Sequence, residues 1–487
     1  MAAQSSALSD PAWTSAVEIA DAVAGGGISA SDVVEMTLAR IAQRDPALNA
    51  FSAVADERAR ARARAVDDER TAGRPLGPLA GVPFAVKNLF DLIGMPTLAG
   101  SKINRDHAPA ACDASLITRL EAAGAVLVGA LNMSEYAYDF TGENIHYGAS
   151  RNPHDLDRMT GGSSSGSGAA VAGGLVPLAL GSDTSGSIRV PSSLCGVFGL
   201  KPTYGRLSRA GVFPLAASFD HVGPMARTTR DLALAYDVLQ GSDPNDPVCS
   251  NRPVEPVTPR LDSDPGGLRV AVAGGYFRKG LFPEAHAAVA RVAAALGAER
   301  EIELPETERA RAAAFVITAG EAAQLHLDRL RHRAHDFDPA IRDRLLAAAA
   351  MPATFMVAAQ KFRQWYRDRV LELFRGVDAI IAPATPCAAP KIGEENLVLD
   401  GLAVSVRQNL GLYTQPISFI GLPVVVVPVP LSPLPVGVQI ITRPWNEELA
   451  LRIAYRLEGT GIVAAPRPGP PRAPEQRDDR QAAAALT

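Results

Sequence analysis

Cysteine is scarce in this chain. There are four in 487 residues, Cys112, Cys195, Cys249 and Cys387, and no Cys-x-x-Cys pair. So dispersed a set excludes a disulfide framework and a cysteine-based zinc site, and it suits a reducing compartment. Excess basic charge is lacking as well. The formal net charge is −4 and the isoelectric point about 6.1, so no global positive field is present to neutralise nucleic-acid phosphates. The strongest local basic run, ERARARARAVDDER over 57–70, is flanked by acidic residues at helical spacing and reads as a solvated helix face. Long apolar runs are absent too: none reaches about 18 residues. The opening MAAQSSALSDPAWTS has neither a basic n-region nor an apolar h-region. The expectation is a cytoplasmic protein with no membrane span and no nucleic-acid partner.

What is present is an ordinary globular composition, 47% hydrophobic and 21% charged, with enough apolar residues for a sizeable buried core. The length allows two or three average domains, yet large α/β enzymes often keep this much chain in one continuous core. Residues 1–75 read as an all-helical N-terminal segment packed on that core. Within it Ser29 is placed to cap a helix, with Asp32 three residues on and Val33, Val34, Met36, Leu38 and Ile41 on a helical period. From Leu79 the texture changes. Short β-like runs, AGVPFAVK, AVLVGAL, VPLALGS, LRVAVAG, AIIAPA, VVVVPV and VGVQII, alternate with helical stretches such as DASLITRLEAAG and PEAHAAVARVAAALGAE. That alternation predicts an α/β fold with a large, mostly buried sheet. A Pro/Asp-rich stretch around 240–266 reads as a surface crossover, and a Pro-, Arg- and Ala-rich tail over 464–487 as loosely ordered.

The stretch MTGGSSSGSGAA (159–170) has the composition of a linker, but it runs straight into apolar sequence and a second serine cluster, GSDTSGSIRVP. Gly162-x-Ser164-x-Gly166 matches the nucleophile elbow of α/β-hydrolases. An elbow follows a strand, however, and the preceding RNPHDLDRMTG reads as loop. Nor does any downstream histidine, His221, His286, His326, His332 or His335, sit in a diagnostic context for a catalytic base. Phosphate cradling is excluded, because there is no GxxxxGK[ST] and Gly166-x-Gly168 lacks the third glycine of a dinucleotide fingerprint. What remains is a serine nucleophile activated by lysine, directly or through a second serine. Lysines are few, and Lys87 ends an apolar β-like run, GVPFAVKN. Desolvation there would push its amine from about 10.4 toward neutrality, leaving a base able to take a serine proton. On residue type alone the alternative stands, a lysine with a buried stem and a solvated head.

In this order and spacing, GVPFAVKNLFD, TGGSSSGSGAAVA and GSDTSGSIRVPSSLCGVFGLKPTYGRLSRAGVFP resemble the amidase signature family of Ser-Ser-Lys amidohydrolases. The resemblance implies the amidase signature fold, a large twisted mixed sheet covered by helices on both faces, with a catalytic domain over 76–463 and with neither cofactor nor metal. By position it implies Lys87 as the base, Ser163 as a bridging serine after a cis peptide bond and Ser187 as the nucleophile. It implies an oxyanion hole from Thr184, Ser185, Gly186 and Ser187, with Asp183 and Arg189 as structural supports. Ser165 and Ser185 depart from the family's usual glycines; serine there would cost about 1 kcal/mol if the backbone required a positive φ. A noncatalytic scaffold of this fold would be expected to have lost Lys87, Ser163 or Ser187, and all three are present.

Outside those motifs, LAGVPFAVKNLFDLIGMPTLAGSKIN, NMSEYAYDFTGENIHYG, AAAFVITAGEAAQLHLDRLRHR and RPWNEELALR resemble the branch of the family that hydrolyses carboxybiuret. The implied reaction cleaves an amide C–N bond of a small carboxylate-bearing amide and releases ammonia. A second branch, the glutaminase component of tRNA amidotransferases, typically reads SIRQP where Val190 gives SIRVP here; a general small-molecule amidase is the broader alternative. Both branches imply a small helical accessory subunit, with self-association as a homo-oligomer besides. A carboxylate calls for a cation near Ser187. Arg344 in FDPAIRDR is the candidate on that resemblance, with Tyr138 and His146 shaping the same pocket. The plain alternative for Arg344 is a solvated helix arginine.

Overall fold

Among the described residues, eleven strands form one mixed sheet: β1 (Phe51–Val54), β2 (Pro83–Lys87), β3 (Val126–Leu131), β4 (Leu178–Asp183), β5 (Phe198–Lys201), β6 (His221–Ala226), β7 (Val270–Ala273), β8 (Arg300–Ile302), β9 (Ala379–Pro383), β10 (Val424–Val429) and β11 (Val436–Thr442). Their spatial order is β1-β3-β2-β4-β6-β5-β10-β11-β9-β7-β8. The computed structural model describes residues 12–264 and 266–469, so the tail expected over 464–487 lies, from 470 onward, outside them. All the β-like runs read from the sequence are strands. Those that escaped are short or weakly patterned, such as FGLK at β5 and HVGPMA at β6, where Gly and Pro mask the period.

Helices cover the sheet in two groups. α1 (Ala16–Ala24) and α2 (Ala30–Leu48) are capped by Ser15 and Ser29, the latter accepting from the Asp32 backbone N–H at 2.9 Å. α3 (Asp56–Thr71) carries the Arg-rich run; it buries Ala59, Ala63 and Val66, while Arg58 pairs with Asp113 and Glu121 and Arg60 with Glu35 and Asp56. α4 (Ser115–Ala122) precedes β3. α5 (Ser165–Ala172) packs on β2, β3, β4 and β6, and its neighbour α6 (Arg189–Cys195) on β5, β10 and β11. α7 (Thr229–Leu239) packs on β4, β5 and β6, beside the helix Glu447–Gly459 on β10 and β11. The same strands thus carry both groups, and β2, β3, β4, β10 and β11 are buried at every position, as a sheet covered on both faces requires. α8 (Pro283–Ala295) packs on β9 and β11, while α10 (Pro339–Ala349) and α11 (Ala353–Leu373) both pack on α9 (Thr307–Arg333).

Two readings of the sequence need correction. The N-terminal segment is not purely helical, because β1 lies between α2 and α3 and pairs antiparallel with β3 as an edge strand. Four residues at a helix junction are too few to show a period. The stretch RNPHDLDRMTG, read as loop, contains a small hairpin of Arg151–Asn152 with Asp155–Met159. No single helix among the described residues is long and apolar enough to cross a membrane.

Candidate active site

Parallel pairing of β2 with β4 brings their C-terminal ends to one edge of the sheet. Lys87 ends the first and is completely buried; Asp183 ends the second. Between them in the chain, just ahead of α5, the Gly162–Ser163 peptide is cis, as the resemblance implied. Lys87 Nζ donates to Ser163 Oγ at 2.6 Å and to Ser182 Oγ at 2.9 Å. Burial pushes the Lys87 amine down to about 7, against the pull of the Asp183 and Asp220 carboxylates. Lys201 makes a useful contrast. It too is fully buried and held well below its ordinary value by desolvation, but its Nζ donates to the Pro202 carbonyl. Of these two buried amines only Lys87 is set against serine hydroxyls.

Ser187 follows β4 by four residues and lines a cavity of about 480 Å³. Its hydroxyl makes no hydrogen bond to that of Ser163; backbone ties the two, the Ser164 N–H donating to the Ser187 carbonyl at 3.3 Å. The backbone N–H groups of Ser185, Gly186 and Ser187 donate to no acceptor among the described residues. Thr184 turns its hydroxyl to Asp220, at 2.6 Å. Gly186 has φ +147°, and a Cβ there would lie 2.2 Å from Thr414 Oγ1, which donates to the Ser185 carbonyl at 2.7 Å. Glycine is therefore required at 186 on two counts. Ser165 and Ser185 have no positive φ, so serine at these positions carries no left-handed strain.

Beneath this turn Asp183 and Arg189 form a fork, Nε to Oδ2 at 2.9 Å and Nη2 to Oδ1 at 3.0 Å, both side chains fully buried. Arg189 Nη1 also donates to the Thr414 carbonyl and the Gln439 Oε1, and Nη2 to Ser418. Burial alone would raise the Asp183 carboxyl, but the Arg189 guanidinium outweighs it and holds the group far below the carboxylate range. The pair binds the end of β4 to the segment around 414–418.

Of the residues expected around the substrate, the structure brings Tyr138 and Arg344 to the cavity wall. Arg344 is not a solvated helix arginine. Its guanidinium lies 3.8 Å over the Tyr138 ring, and Nη1 donates to the Tyr138 carbonyl at 2.9 Å. His146 does not line this cavity. Its Nε2 meets Glu135 Oε1 at 2.9 Å, and Glu135 Oε2 accepts the Asp338 N–H at 2.7 Å, so His146 braces the start of α10. Sequence reasoning missed Ser182, the second partner of Lys87, and three further wall residues, Arg311, Thr318 and Arg407. Arg407 pairs with Asp139. Adjacency to Asp183 was the only signal for Ser182. No three His, Cys, Asp or Glu side chains among the described residues are grouped so as to hold a metal ion.

Comparison with known proteins places the chain in a family. The family model described as Amidase matches residues 32–451. AtzE, the 1-carboxybiuret hydrolase subunit of Pseudomonas sp. (strain ADP), is 54% identical over 450 residues, 92% of this chain and 98% of that protein. A glutamyl-tRNA(Gln) amidotransferase subunit of Roseiflexus sp. (strain RS-1) is 40% identical, over 89% of this chain and 93% of its own. A solved structure described as a vestigial protein complex that reveals the origins of an s-triazine catabolic enzyme superposes with a TM-score of 0.92 at 54% identity, covering 93% of this chain and all of that one. With its mixed sheet, its serine clusters and these relatives, the chain belongs to the amidase signature family and is an enzyme that hydrolyses amide C–N bonds.

Proposed function

We propose that this amidase cleaves a small carboxylate-bearing amide of the carboxybiuret type through an acyl-enzyme on Ser187, with ammonia as the first product. The observation that supports the mechanism most is a buried amine, near neutrality, 2.6 Å from the Ser163 hydroxyl. In the first step Ser187 Oγ attacks the amide carbon and passes its proton to Ser163, while Ser163 passes its own to Lys87. Negative charge collects on the former carbonyl oxygen, where the N–H groups of the 184–187 turn stabilise it. Collapse breaks the C–N bond; the nitrogen keeps the bonding pair, takes a proton back from Lys87 through Ser163 and leaves as ammonia. Water then attacks the acyl-enzyme by the same relay, restoring Ser187 and forming the acid. The relay requires the Ser163 and Ser187 hydroxyls to come within hydrogen-bond reach when substrate fills the cavity, a tightening common on substrate binding. Asp183 and Arg189 act as supports that hold the turn.

The carboxylate is assigned to a wall containing Arg344 and Tyr138, since a guanidinium fork suits a planar anion. The 54% identical relative is named as a hydrolase subunit, the solved neighbour as a protein complex. This supports a partner subunit for this chain too, which we take to be small and helical; self-association as a homo-oligomer and action in the cytoplasm complete the proposal. The test is ammonia release by purified enzyme from carboxybiuret, biuret, malonamate, glutamine and acetamide. Carboxybiuret and malonamate should be turned over with the highest kcat/KM; preference for glutamine or acetamide would overturn the assignment.

A further inference from the structure

Along α9, Glu308, Arg311, Ala312, Phe315 and Thr318 recur at three- and four-residue intervals and face the cavity that Ser187 lines. The acidic groups in its walls are already neutralised, Asp139 by Arg407 and Glu308 by Lys279. Two guanidiniums in the same walls have no carboxylate partner among the described residues. One is Arg344, stacked on Tyr138. The other is Arg311, whose Nε donates to Gln415 Oε1 at 2.8 Å and whose Nη2 donates to the Gln408 carbonyl at 2.8 Å and Asn409 Oδ1 at 2.9 Å.

All three of those acceptors are neutral. They fix the Arg311 fork in place without cancelling its charge, and Gln415 ties it to Thr414, which in turn holds the Ser185 carbonyl beside Ser187. These bonds take up the Nε and Nη2 hydrogens and leave the two on Nη1, so a positive charge of fixed position, with no carboxylate partner among the described residues, stands in the cavity wall with donors left for an anion. A buried polar atom nearby points the same way: the Thr318 hydroxyl, on a residue of this wall, has no hydrogen-bond partner among the described residues.

We propose that Arg311 is a specificity-determining residue that selects carboxylate-bearing amides, acting as a second cation alongside Arg344. This rests on the reading of the site given above and assigns one of its determinants. Malonamate and malonamide provide the test, being near-isosteres that differ by one anionic oxygen replaced by NH₂. Arg311→Met should raise KM for malonamate about tenfold or more, the worth of one charge-assisted contact. KM for malonamide and both kcat values should stay within about threefold, and Arg311→Lys should restore part of the loss because it keeps the charge without the fork. Should the Met variant fold poorly, Arg311→Gln removes the charge while keeping a polar side chain beside Gln415, and the same ratio is read from it. If wild type prefers malonamate and Arg311→Met keeps that preference, or loses both substrates equally, the inference is overturned while the carboxylate assignment stands. If wild type shows no preference for malonamate, both are overturned.

Discussion

Replacing Lys87 by Met probes the buried amine through stability and through turnover. Lowering an amine from its ordinary 10.5 to about 7 corresponds to about 5 kcal/mol, at about 1.4 kcal/mol per pH unit, which the folded state forfeits when the amine is charged. The folded protein releases this proton near pH 7 and the unfolded chain near 10.5, so between those values the unfolded chain binds more protons and wild-type stability rises with pH. Below about pH 7 the full penalty is present. Lys87→Met removes it and gives up the hydrogen bonds to Ser163 and Ser182, each a contribution of about 1 kcal/mol. The variant should therefore be more stable than wild type by a few kcal/mol at about pH 6, with the gain gone or reversed near pH 10. Denaturant titrations of both proteins across that range measure the difference. Activity reports the same proton in the opposite sense: kcat/KM of wild type should fall about tenfold per pH unit below about 7, as Lys87 becomes charged and cannot act as base. Lys87→Met should lose several orders of magnitude in turnover while folded. A wild-type profile flat down to about pH 5 with chemistry rate-limiting, or a folded Lys87→Met enzyme with near-native activity, would refute the reasoning.

Ser187→Ala should abolish turnover and Ser163→Ala should lower it by several orders of magnitude. The double variant should be no worse than Ser187→Ala, because groups in one relay are not additive; kcat in a direct ammonia assay is the readout. Gly186→Ala places a methyl group 2.2 Å from Thr414 Oγ1 and should displace the N–H groups of the turn. The expected fall in kcat is about 10²–10³-fold with KM little changed, and an unchanged kcat would remove that turn from oxyanion stabilisation. Asp183→Asn leaves the buried Arg189 charge uncompensated and should destabilise the fold by about 3–5 kcal/mol, seen as a marked drop in Tm. A wild-type melting curve for this variant would show that the pair does not support the site.

The relation between chain and structure differs from element to element. Lys87, Ser163 and Ser187 each stand inside a short motif that resembles the amidase signature family, and it is that resemblance, beyond a lysine ending an apolar run and two serine clusters, that pointed to them. Buried strands with unbroken apolar runs such as VVVVPV were readable, whereas FGLK and HVGPMA, just as buried, were not because Gly and Pro interrupt them; Ser29 disclosed a helix start through its spacing to Asp32. Other features are invisible along the chain. Ser182 meets Lys87 only because β2 and β4 pair in parallel. Arg344 has the sequence context of a surface helix, and only the packing that lays it over Tyr138, 206 residues away, takes it to the cavity. His146 shares a loop with Tyr138 yet is drawn to Glu135 instead. Arg311 acquires its neutral cradle from residues about a hundred positions later. Periodicity and capping act over a few residues and so are written in local sequence, whereas charge pairing across a cavity depends on which strands and helices become neighbours, and that is decided when the sheet closes its order and the helices settle on it.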